Sequence, residues 1–276
     1  MKKLFISIMT LFILLSFVVS VNKAKERIIS IEPLENNNFS MQVNEELLYE
    51  VSYSFVKLGT VRIKTLNQYD KNGKKVYKAI AFMDSYKIPL ISLHSIFESE
   101  MDETVYAHQF IASELDEGEW RYTKYDFNYN RDKVFCERGF PSNKRSPIKD
   151  TISLDKKFMQ DGLSLFFKAR QTLYSQKPEN IPVFINEKKE NTYIEYPCKR
   201  ETVEIEAVKY PIDVLYFKGK ATFVGVFGLT GDFQGWFSND AARVPIFARM
   251  TVILGSVKVE LKSWTRTNWA PPKKVN

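Results

Sequence analysis

The sequence predicts a mainly β protein, in which a large curved antiparallel sheet or half-barrel wraps around a central helix. Apolar and polar residues alternate along most of the chain, with the two-residue period of half-buried strands. One segment departs from this period and has the three- and four-residue steps of an amphipathic helix. Because a lone amphipathic helix must bury its apolar stripe, one sheet around the helix explains the pattern better than two domains do.

The first strand is predicted at Leu47–Phe55, where the odd positions are apolar or aromatic and the even positions are mostly polar. Gly59 ends this run, and the alternation resumes at Val61–Lys64. The turn residues Asp70-Lys71-Asn72-Gly73 then predict a second hairpin. Similar alternation predicts further strands at 120–129, 132–137, 192–196, 202–208, 214–217, 221–226 and 247–264.

The central helix is predicted near residues 158–175. Asp155 or Asp161 can begin it, Gly162 weakens its start, and Pro178 closes the segment. The helical spacing is carried by Phe158, Met159, Leu163, Phe166, Phe167, Arg170 and Leu173. The apolar residues of this stripe are expected to face the concave side of the sheet.

The N-terminus has the layout of a secretory signal peptide, because Lys2 and Lys3 precede an uncharged stretch from Leu4 to Val21. Cleavage is predicted ahead of Val21 or after Ala24. The alternative is an uncleaved anchor, since about eighteen apolar residues can just span a hydrocarbon core. The segment contains no cysteine that could be acylated, so a lipoprotein is not predicted.

The predicted organisation is a signal peptide at 1–20, an N-terminal extension at 21–40, a single β-rich domain at 41–268 and a C-terminal tail at 269–276. The mature protein is therefore expected in the periplasm or outside the cell. No integral membrane span is expected after cleavage of the signal peptide.

The formal net charge is +7, which includes Lys2 and Lys3. Basic and acidic residues alternate in runs such as Lys199–Glu206, so the sequence does not predict a nucleic-acid groove. The slight positive charge can favour contact with anionic lipid or lipopolysaccharide surfaces. An ordinary solvated surface is the alternative.

The two cysteines, Cys136 and Cys198, do not form a disulfide framework in a chain of this size. An oxidising compartment would allow them to pair if the fold brings them together. The alternative is two buried thiols that pack as small apolar groups. Their separation lacks the close ligand spacing of a zinc site.

Residues for enzymatic chemistry are scarce. His94 and His108 are the only histidines, and the nearby acidic cluster Glu98, Glu100, Asp102 and Glu103 is interpreted as a solvated strand edge. Nucleophile-elbow, phosphate-loop and dinucleotide-binding motifs are absent from the sequence. No metal, cofactor or catalytic residue is predicted. Glycosidase-type carboxylate pairs have no fixed spacing in sequence, so sequence analysis does not exclude them.

Three stretches resemble the exported bacterial family called domain of unknown function 3108. The first, Glu46–Gly59, begins with Glu-Leu-Leu-Tyr and closes with a glycine. The second is Asp161-Gly162-Leu163-Ser164 followed by Arg170. The third is Gly235-Trp236-Phe237-Ser238-Asn239-Asp240, followed by Arg243, Pro245 and Ile246. Ala241 and Ala242 depart from the third motif by lengthening its turn. The resemblance implies an exported, β-rich protein similar in architecture to the half-barrels of lipoprotein carriers.

The third stretch also has its own physical interpretation. Asp240 and Arg243 lie three residues apart in a predicted tight turn, where a carboxylate can hold a guanidinium or cap backbone amides. A structural turn is the favoured interpretation. For an apolar ligand with a polar group, the predicted contacts are Trp236 and Arg243, with Phe166 and Phe167 on the helix.

Hypotheses from three classes follow. The first is a non-catalytic carrier that binds an apolar or lipid-like ligand in the concavity of the sheet. The second is an envelope-assembly scaffold that binds a protein partner. The third is a hydrolase that acts on envelope polymers. Co-purifying lipid, a retained protein partner and a polar cluster in a cleft would distinguish them.

Overall fold

The computed structural model describes residues 39–71, 73–87, 92–142, 146–225, 230–251 and 255–274. The predicted signal peptide and most of the N-terminal extension lie outside these residues. The described residues contain one α-helix, α1 (Ser164–Thr172), and a 3-10 turn at Tyr129–Arg131. The strands are β1 (Glu46–Tyr53), β2 (Val56–Lys71), β3 (Lys74–Ser85), β4 (His94–Asp102), β5 (Ala107–Asp116), β6 (Glu119–Asn128), β7 (Lys133–Gly139), β8 (Ile148–Ser153), β9 (Glu179–Ile185), β10 (Lys188–Val203), β11 (Ile212–Ala221), β12 (Gly231–Ser238), β13 (Pro245–Thr251) and β14 (Ser256–Thr265). The prediction of a mainly β chain is confirmed.

The strands of the described residues form one open antiparallel sheet. Its order is β8-β7-β6-β5-β4-β3-β2-β1-β14-β13-β12-β11-β10-β9. Two meanders, β1–β8 and β9–β14, therefore meet where β1 pairs with β14. The last strand in sequence thus joins the first in the middle of the sheet, and β8 and β9 are its edges.

The first strand shows how the alternation produces the buried face. Leu47, Tyr49 and Val51 are buried, whereas the residues between them are half-buried. The prediction fails at its end, because β1 stops at Tyr53 and Phe55 is 92% exposed. Ser54 has a positive φ of 53° and turns the chain into β2, so Phe55 lies at the tip of a hairpin.

Other predicted strand ends also differ. β10 ends at Val203 and β11 at Ala221, so 204–208 and 222–225 are not strand. Ala221, the last residue of β11, pairs with Gly231, the first residue of β12. The predicted 247–264 strand is two strands, and Gly255 between them has a φ of +89°.

The helix begins later than the sequence predicts. Residues 158–163 are not helical, because Gln160 forms a parallel bridge to Val183 of β9. The carboxylate of Asp161 then accepts hydrogen bonds from the backbone N–H groups of Leu163 and Ser164, both at 2.7 Å, and so caps the first turn. The helix is therefore Ser164–Thr172 rather than 158–175.

The sheet curves enough to bring its two end regions into contact. The ring of Tyr125 in β6 lies 4.9 Å from the ring of Phe184 in β9. Arg138 of β7 donates to Glu187, beyond the end of β9, at 2.6 Å. The backbone N–H of Glu187 also donates to the Tyr125 hydroxyl at 3.1 Å. Side chains thus connect two regions whose edge strands are not paired to each other.

Helix residues belong to both buried apolar clusters of the described chain. Leu163 and Phe167 lie in a cluster with side chains from the β1–β7 meander and from β11–β14. Ala169 and Leu173 lie in a second cluster with side chains from β9–β12. The helix therefore contributes to the core that joins the two meanders.

Gly59 is required by a close approach of two strands. A Cβ atom at this position would lie 2.2 Å from the backbone oxygen of Asp84 in β3. Gly59 lies within β2, where it pairs with Ser85, so it does not end the run as the sequence predicts. Its lack of a side chain permits that pairing.

Most of the predicted C-terminal tail is attached to the sheet. Trp269 packs edge-on against Trp264 with ring centroids 5.6 Å apart. The backbone N–H of Asp213 donates to the carbonyl of Pro272 at 2.8 Å, and that of Lys274 to Pro211 at 2.9 Å. Residues 269–274 therefore extend the packed part of the chain beyond 268.

Candidate functional site

A buried ion pair joins the helix to the start of the sheet. Arg170, in the last turn of α1, donates from Nη1 to Oε1 of Glu45 at 2.6 Å and from Nη2 to Oε2 at 3.0 Å. The two side chains are 0% and 3% exposed. Nη2 also donates to the carbonyl of Ala242 at 2.9 Å. One guanidinium thus links the helix, the residue before β1 and the turn after β12.

The charges around Glu45 keep it ionised. Burial alone raises the pKa of Glu45, but the charges and hydrogen bonds of Arg170 and Arg266 outweigh this effect, so its pKa lies below the ordinary value. Arg266 donates to the same carboxylate. The ring of Phe39 covers the Arg170 guanidinium at 5.1 Å. The carboxylate is therefore held by two cations of its own chain.

Arg243 binds the C-terminal end of the same helix. Its Nη1 donates to the carbonyls of Arg170 at 3.2 Å and Gln171 at 2.7 Å. Its guanidinium lies 4.7 Å from the ring centroid of Tyr174. Burial lowers the pKa of Arg243. A cation at the last carbonyls of a helix is a stabilising arrangement, so this side chain supports the helix end.

Asp240 organises the turn that carries Arg243. Its Oδ1 accepts hydrogen bonds from the Ser238 hydroxyl at 2.9 Å and from the N–H groups of Ala242 at 2.9 Å and Arg243 at 3.1 Å. Its Oδ2 accepts from the Trp269 indole N–H at 2.8 Å. Asp240 therefore stabilises the turn through its backbone N–H groups, and it also binds the C-terminal segment through Trp269.

Trp236, the other half of the sequence-predicted ligand pair, has different neighbours. Its indole N–H donates to Glu201 at 2.6 Å. Its ring centroid lies 5.5 Å from that of Tyr216 and 5.4 Å from that of Phe247. The described contacts therefore place Trp236 among β10, β11 and β13 side chains and Arg243 at the helix end.

The structure does bring Phe166 and Phe167 together, with ring centroids 5.2 Å apart. Phe167 is fully buried, whereas Phe166 is half-buried and lies 6.4 Å from the ring of Tyr49. The buried Tyr49 hydroxyl has no hydrogen-bond partner among the described residues. Burial raises the pKa of Tyr49 well above its ordinary value. The Tyr49 hydroxyl is therefore a buried polar group beside the helix that is unsatisfied within the described residues.

A second buried carboxyl caps the other end of the helix. Besides its two backbone contacts, Asp161 accepts a hydrogen bond from the Ser99 hydroxyl of β4 at 2.6 Å. Burial raises the pKa of Asp161 to about 6, although hydrogen bonds from Ser99, Ser164 and Leu163 oppose that rise. Both ends of α1 are therefore fixed by buried charged or titratable groups.

The two cysteines are free in the structure. Cys136 lies buried in β7, and burial raises the pKa of its thiol to about 12. Cys198 is half-buried at the irregularity of β10, with a φ of 51°. The disulfide predicted as one of two alternatives is thus not formed here. The raised pKa makes Cys136 a poor nucleophile.

The histidines and the acidic cluster are engaged in local pairs. The ring nitrogen Nε2 of His108 lies 3.1 Å from a carboxylate oxygen of Asp102, and Nδ1 of His94 lies 3.0 Å from Asp84. Glu98 pairs with Lys78 at 2.7 Å. Within the described ranges, no group of three or more histidine, cysteine or acidic side chains is arranged to hold a metal ion.

Two surface cavities in the described part of the chain are lined largely by charged side chains. One, of about 220 Å³, is lined by Glu50, Glu206, Ala207, Glu260, Leu261 and Lys262. The other, of about 140 Å³, is lined by Tyr129, Asp132, Lys156, Lys157 and Phe158. None of the four predicted ligand residues lines either cavity.

Sequence reasoning named Asp161 as a possible start of the helix but missed Glu45 and Ser99 as members of these networks. The sequence did contain an indication that Arg170 needs an acidic partner such as Glu45, because Arg170 falls on the apolar stripe of the helix. A cation at a buried position requires a carboxylate partner. Which of the neighbouring acids Glu45 and Glu46 supplies it depends on where β1 begins.

The described residues define a mainly β protein with one open antiparallel sheet and one helix, which a buried ion pair links to the sheet. The chain belongs to the DUF3108 family, described as proteins of unknown function, whose sequence profile matches residues 48–262. No curated protein matches the chain.

Solved structures similar to this chain include a beta-barrel-like protein of the domain of unknown function 1849 from Brucella abortus. The identity is 8%, the TM-score is 0.54, and the match covers 81% of this chain and 97% of that protein. A protein with a YmcC-like fold from Bacteroides fragilis also matches, with 8% identity, a TM-score of 0.34 and coverage of 83% and 98%. At this identity the first match shows similarity of fold alone. Among the described residues, no helix is long and apolar enough to cross a membrane.

Proposed function

We propose that this chain is an exported, non-catalytic envelope protein of the periplasm and that it acts as an assembly scaffold for a protein partner. In this proposal the curved sheet wraps around the helix as a half-barrel, and the helix fills its interior permanently. The partner binds at the outer surface. Export is supported by the cationic start and the apolar stretch from Leu4 to Val21.

The observation that carries the proposal is the bidentate pair between Arg170 and Glu45. A carrier must make room for its cargo between the helix and the sheet. Moving α1 would separate these two buried charges, and breaking such a pair costs about 3–5 kcal/mol. Arg243 and Asp161 fix the helix further at its two ends. A helix held in this way supports a constant shape better than it supports exchange of a ligand.

A carrier of an apolar or lipid-like ligand is the second candidate. It is favoured by one place in the described interior, where the half-buried ring of Phe166 lies against Tyr49, whose buried hydroxyl lacks a partner. A ligand with an apolar body and one hydrogen-bonding group would match these two side chains.

Native mass spectrometry of the protein purified from the periplasm distinguishes the two candidates. The scaffold proposal expects the chain together with a retained protein partner and without bound lipid. Lipid that leaves the chain only on collisional activation would support the carrier instead. Recovery of the chain without partner or lipid, under conditions that preserve known periplasmic complexes, would contradict both.

A further inference from the structure

The last described residues continue the sheet at the point where β12 ends. β12 stops at Ser238, which pairs with Val214 of β11. Two residues nearer the start of β11, Ile212 forms an antiparallel bridge to Lys273. The end of the chain therefore lies beside the first residues of β11, next to the turn that follows β12. We call residues 266–274 the C-terminal strap.

The C-terminal strap reaches the helix by two routes. Arg266 donates to the carboxylate of Glu45, which also holds Arg170 of α1. Further along the strap, the indole N–H of Trp269 donates to Oδ2 of Asp240 at 2.8 Å. The strap thus binds two carboxylates that belong to different parts of the fold.

The second route passes through the turn that carries Arg243. The carboxylate of Asp240 accepts the backbone N–H groups of Ala242 and Arg243, so one side chain joins the strap to this turn. Arg243 then donates to the carbonyls of Arg170 and Gln171. These carbonyls lie in the last turn of α1, where no further helical N–H group can reach them. Both routes therefore end at the C-terminal end of the helix.

The N-terminal end of α1 is held by other groups. Asp161 accepts from the N–H groups of Leu163 and Ser164, and Ser99 of β4 donates to the same carboxylate. These residues lie at the opposite end of the helix from the carbonyls that Arg243 binds. Detachment of the strap is therefore expected to loosen one end of the helix and to leave the other end in place.

The strap follows a short turn after β14. The backbone N–H of Trp269 donates to the carbonyl of Arg266 at 3.3 Å, and Asn268 has a φ of 53°. Beyond this turn, the Tyr210 hydroxyl donates to the carbonyl of Pro271 at 3.0 Å. A terminal segment held by a small number of hydrogen bonds opens at a lower free energy than the strands inside a sheet.

We propose that the C-terminal strap keeps α1 in the interior of the sheet. With the strap attached, Glu45 and the turn at Asp240 are fixed, and both hold the end of the helix. Release of the strap frees the C-terminal turn of α1 while the sheet remains folded. The inference rests on the proposed function, in which the helix fills the interior, and it names the segment that controls this filling.

Hydrogen exchange of the full chain, resolved at single amides, tests the proposal. Trp269→Phe keeps an aromatic ring at this position but removes the hydrogen bond to Asp240. We expect exchange at the amides of residues 170–172 to rise about tenfold, because a hydrogen bond to a charged group is lost. Exchange at residues 163–164 should stay within about twofold of the wild type, because Asp161 still caps that end.

Two further variants complete the comparison. Trp269→Ala also removes the ring that packs against Trp264, so it should raise exchange at residues 170–172 further. Trp120→Ala is the matched control, since Trp120 is 37% exposed in β6 of the other meander. It should leave exchange at both ends of the helix within about twofold of the wild type.

Unchanged exchange at residues 170–172 in both Trp269 variants would overturn the proposal. An equal rise at residues 163–164 would also overturn it, because the variants would then have lost stability throughout the fold. If Trp269→Ala does not fold, Trp269→Phe alone decides. A protein partner or lipid found by native mass spectrometry decides the proposed function and leaves this comparison of amides unaffected.

Discussion

Arg170 and Glu45 lie 125 residues apart in sequence and form a bidentate ion pair in which both side chains are buried. The pair connects the central helix to the residue that precedes β1. Arg266, from the end of the chain, reaches the same carboxylate. Three distant parts of the sequence therefore meet at one charged group, which makes the pair a sensitive probe of the fold.

Glu45→Gln should lower the free energy of unfolding by about 3–5 kcal/mol, because it leaves Arg170 buried without a carboxylate. The next residue provides the matched control. Glu46 forms partly exposed pairs with Lys64 at 2.7 Å and Arg62 at 3.5 Å. Glu46→Gln should therefore cost only about 0–1 kcal/mol. Urea unfolding of both variants measures the difference, and equal losses would show that the buried pair is not a special constraint.

The sequence predicts individual strands better than their arrangement. The alternation at Leu47, Tyr49 and Val51 depends on local burial and is recovered correctly. The pairing of β1 with β14 depends on contacts across the whole chain, which no local pattern encodes. Phe55 was misassigned because its apolar character continues the alternation, whereas the backbone turns at Ser54.

The candidate site was predictable only in part. Asp240 was recognised as a turn residue from its spacing to Arg243, and its contacts are local in sequence. Arg243 was predicted first as a structural turn residue and second as a contact for an anionic ligand group. Its Nη1 donates to two carbonyls of the helix, a long-range contact that its spacing to Asp240 does not indicate. The sequence offered Asp155 or Asp161 as the residue that begins the helix, and the structure selects Asp161, whose carboxylate accepts from the first N–H groups of the helix and from Ser99 of a distant strand.

Asp161 should make stability depend on pH in the weakly acidic range. Burial raises its pKa from 3.8 to about 6. Between these values the folded protein holds a proton that the unfolded chain has lost. This contribution to stability is therefore present at low pH and disappears as the pH rises from about 4 to about 6. Over that window it amounts to about 3 kcal/mol.

The comparison with Asp161→Asn isolates that contribution. Asparagine keeps an oxygen that can cap the N–H groups of Leu163 and Ser164, but it does not titrate. Thermal or urea unfolding between pH 4 and 7 should show the wild type losing stability relative to the variant as the pH rises. Parallel stability curves for the two proteins would show that Asp161 does not titrate with a raised pKa.

Export is tested at the N-terminus of the purified protein. The mature chain should begin near Val21 or Lys25, because the cleavage sites are predicted ahead of Val21 and after Ala24. N-terminal sequencing of protein from the periplasmic fraction reads this directly. Intact Met1 on protein from the cytoplasmic fraction would remove the basis for a periplasmic function.

The central claim is that the helix permanently occupies the interior of the sheet and leaves no room for a ligand. Thermal unfolding with and without an apolar fluorescent probe tests it most directly. The variants are Phe167→Ala, at a fully buried ring, and Phe166→Ala, at the half-buried ring beside Tyr49. We predict that Phe167→Ala costs about 3–5 kcal/mol, that Phe166→Ala costs clearly less because its ring is only half-buried, and that the wild type binds no probe. A small loss in Phe167→Ala, together with probe binding to the wild type that Phe166→Ala alters, would contradict the filled interior and assign the protein to the carriers.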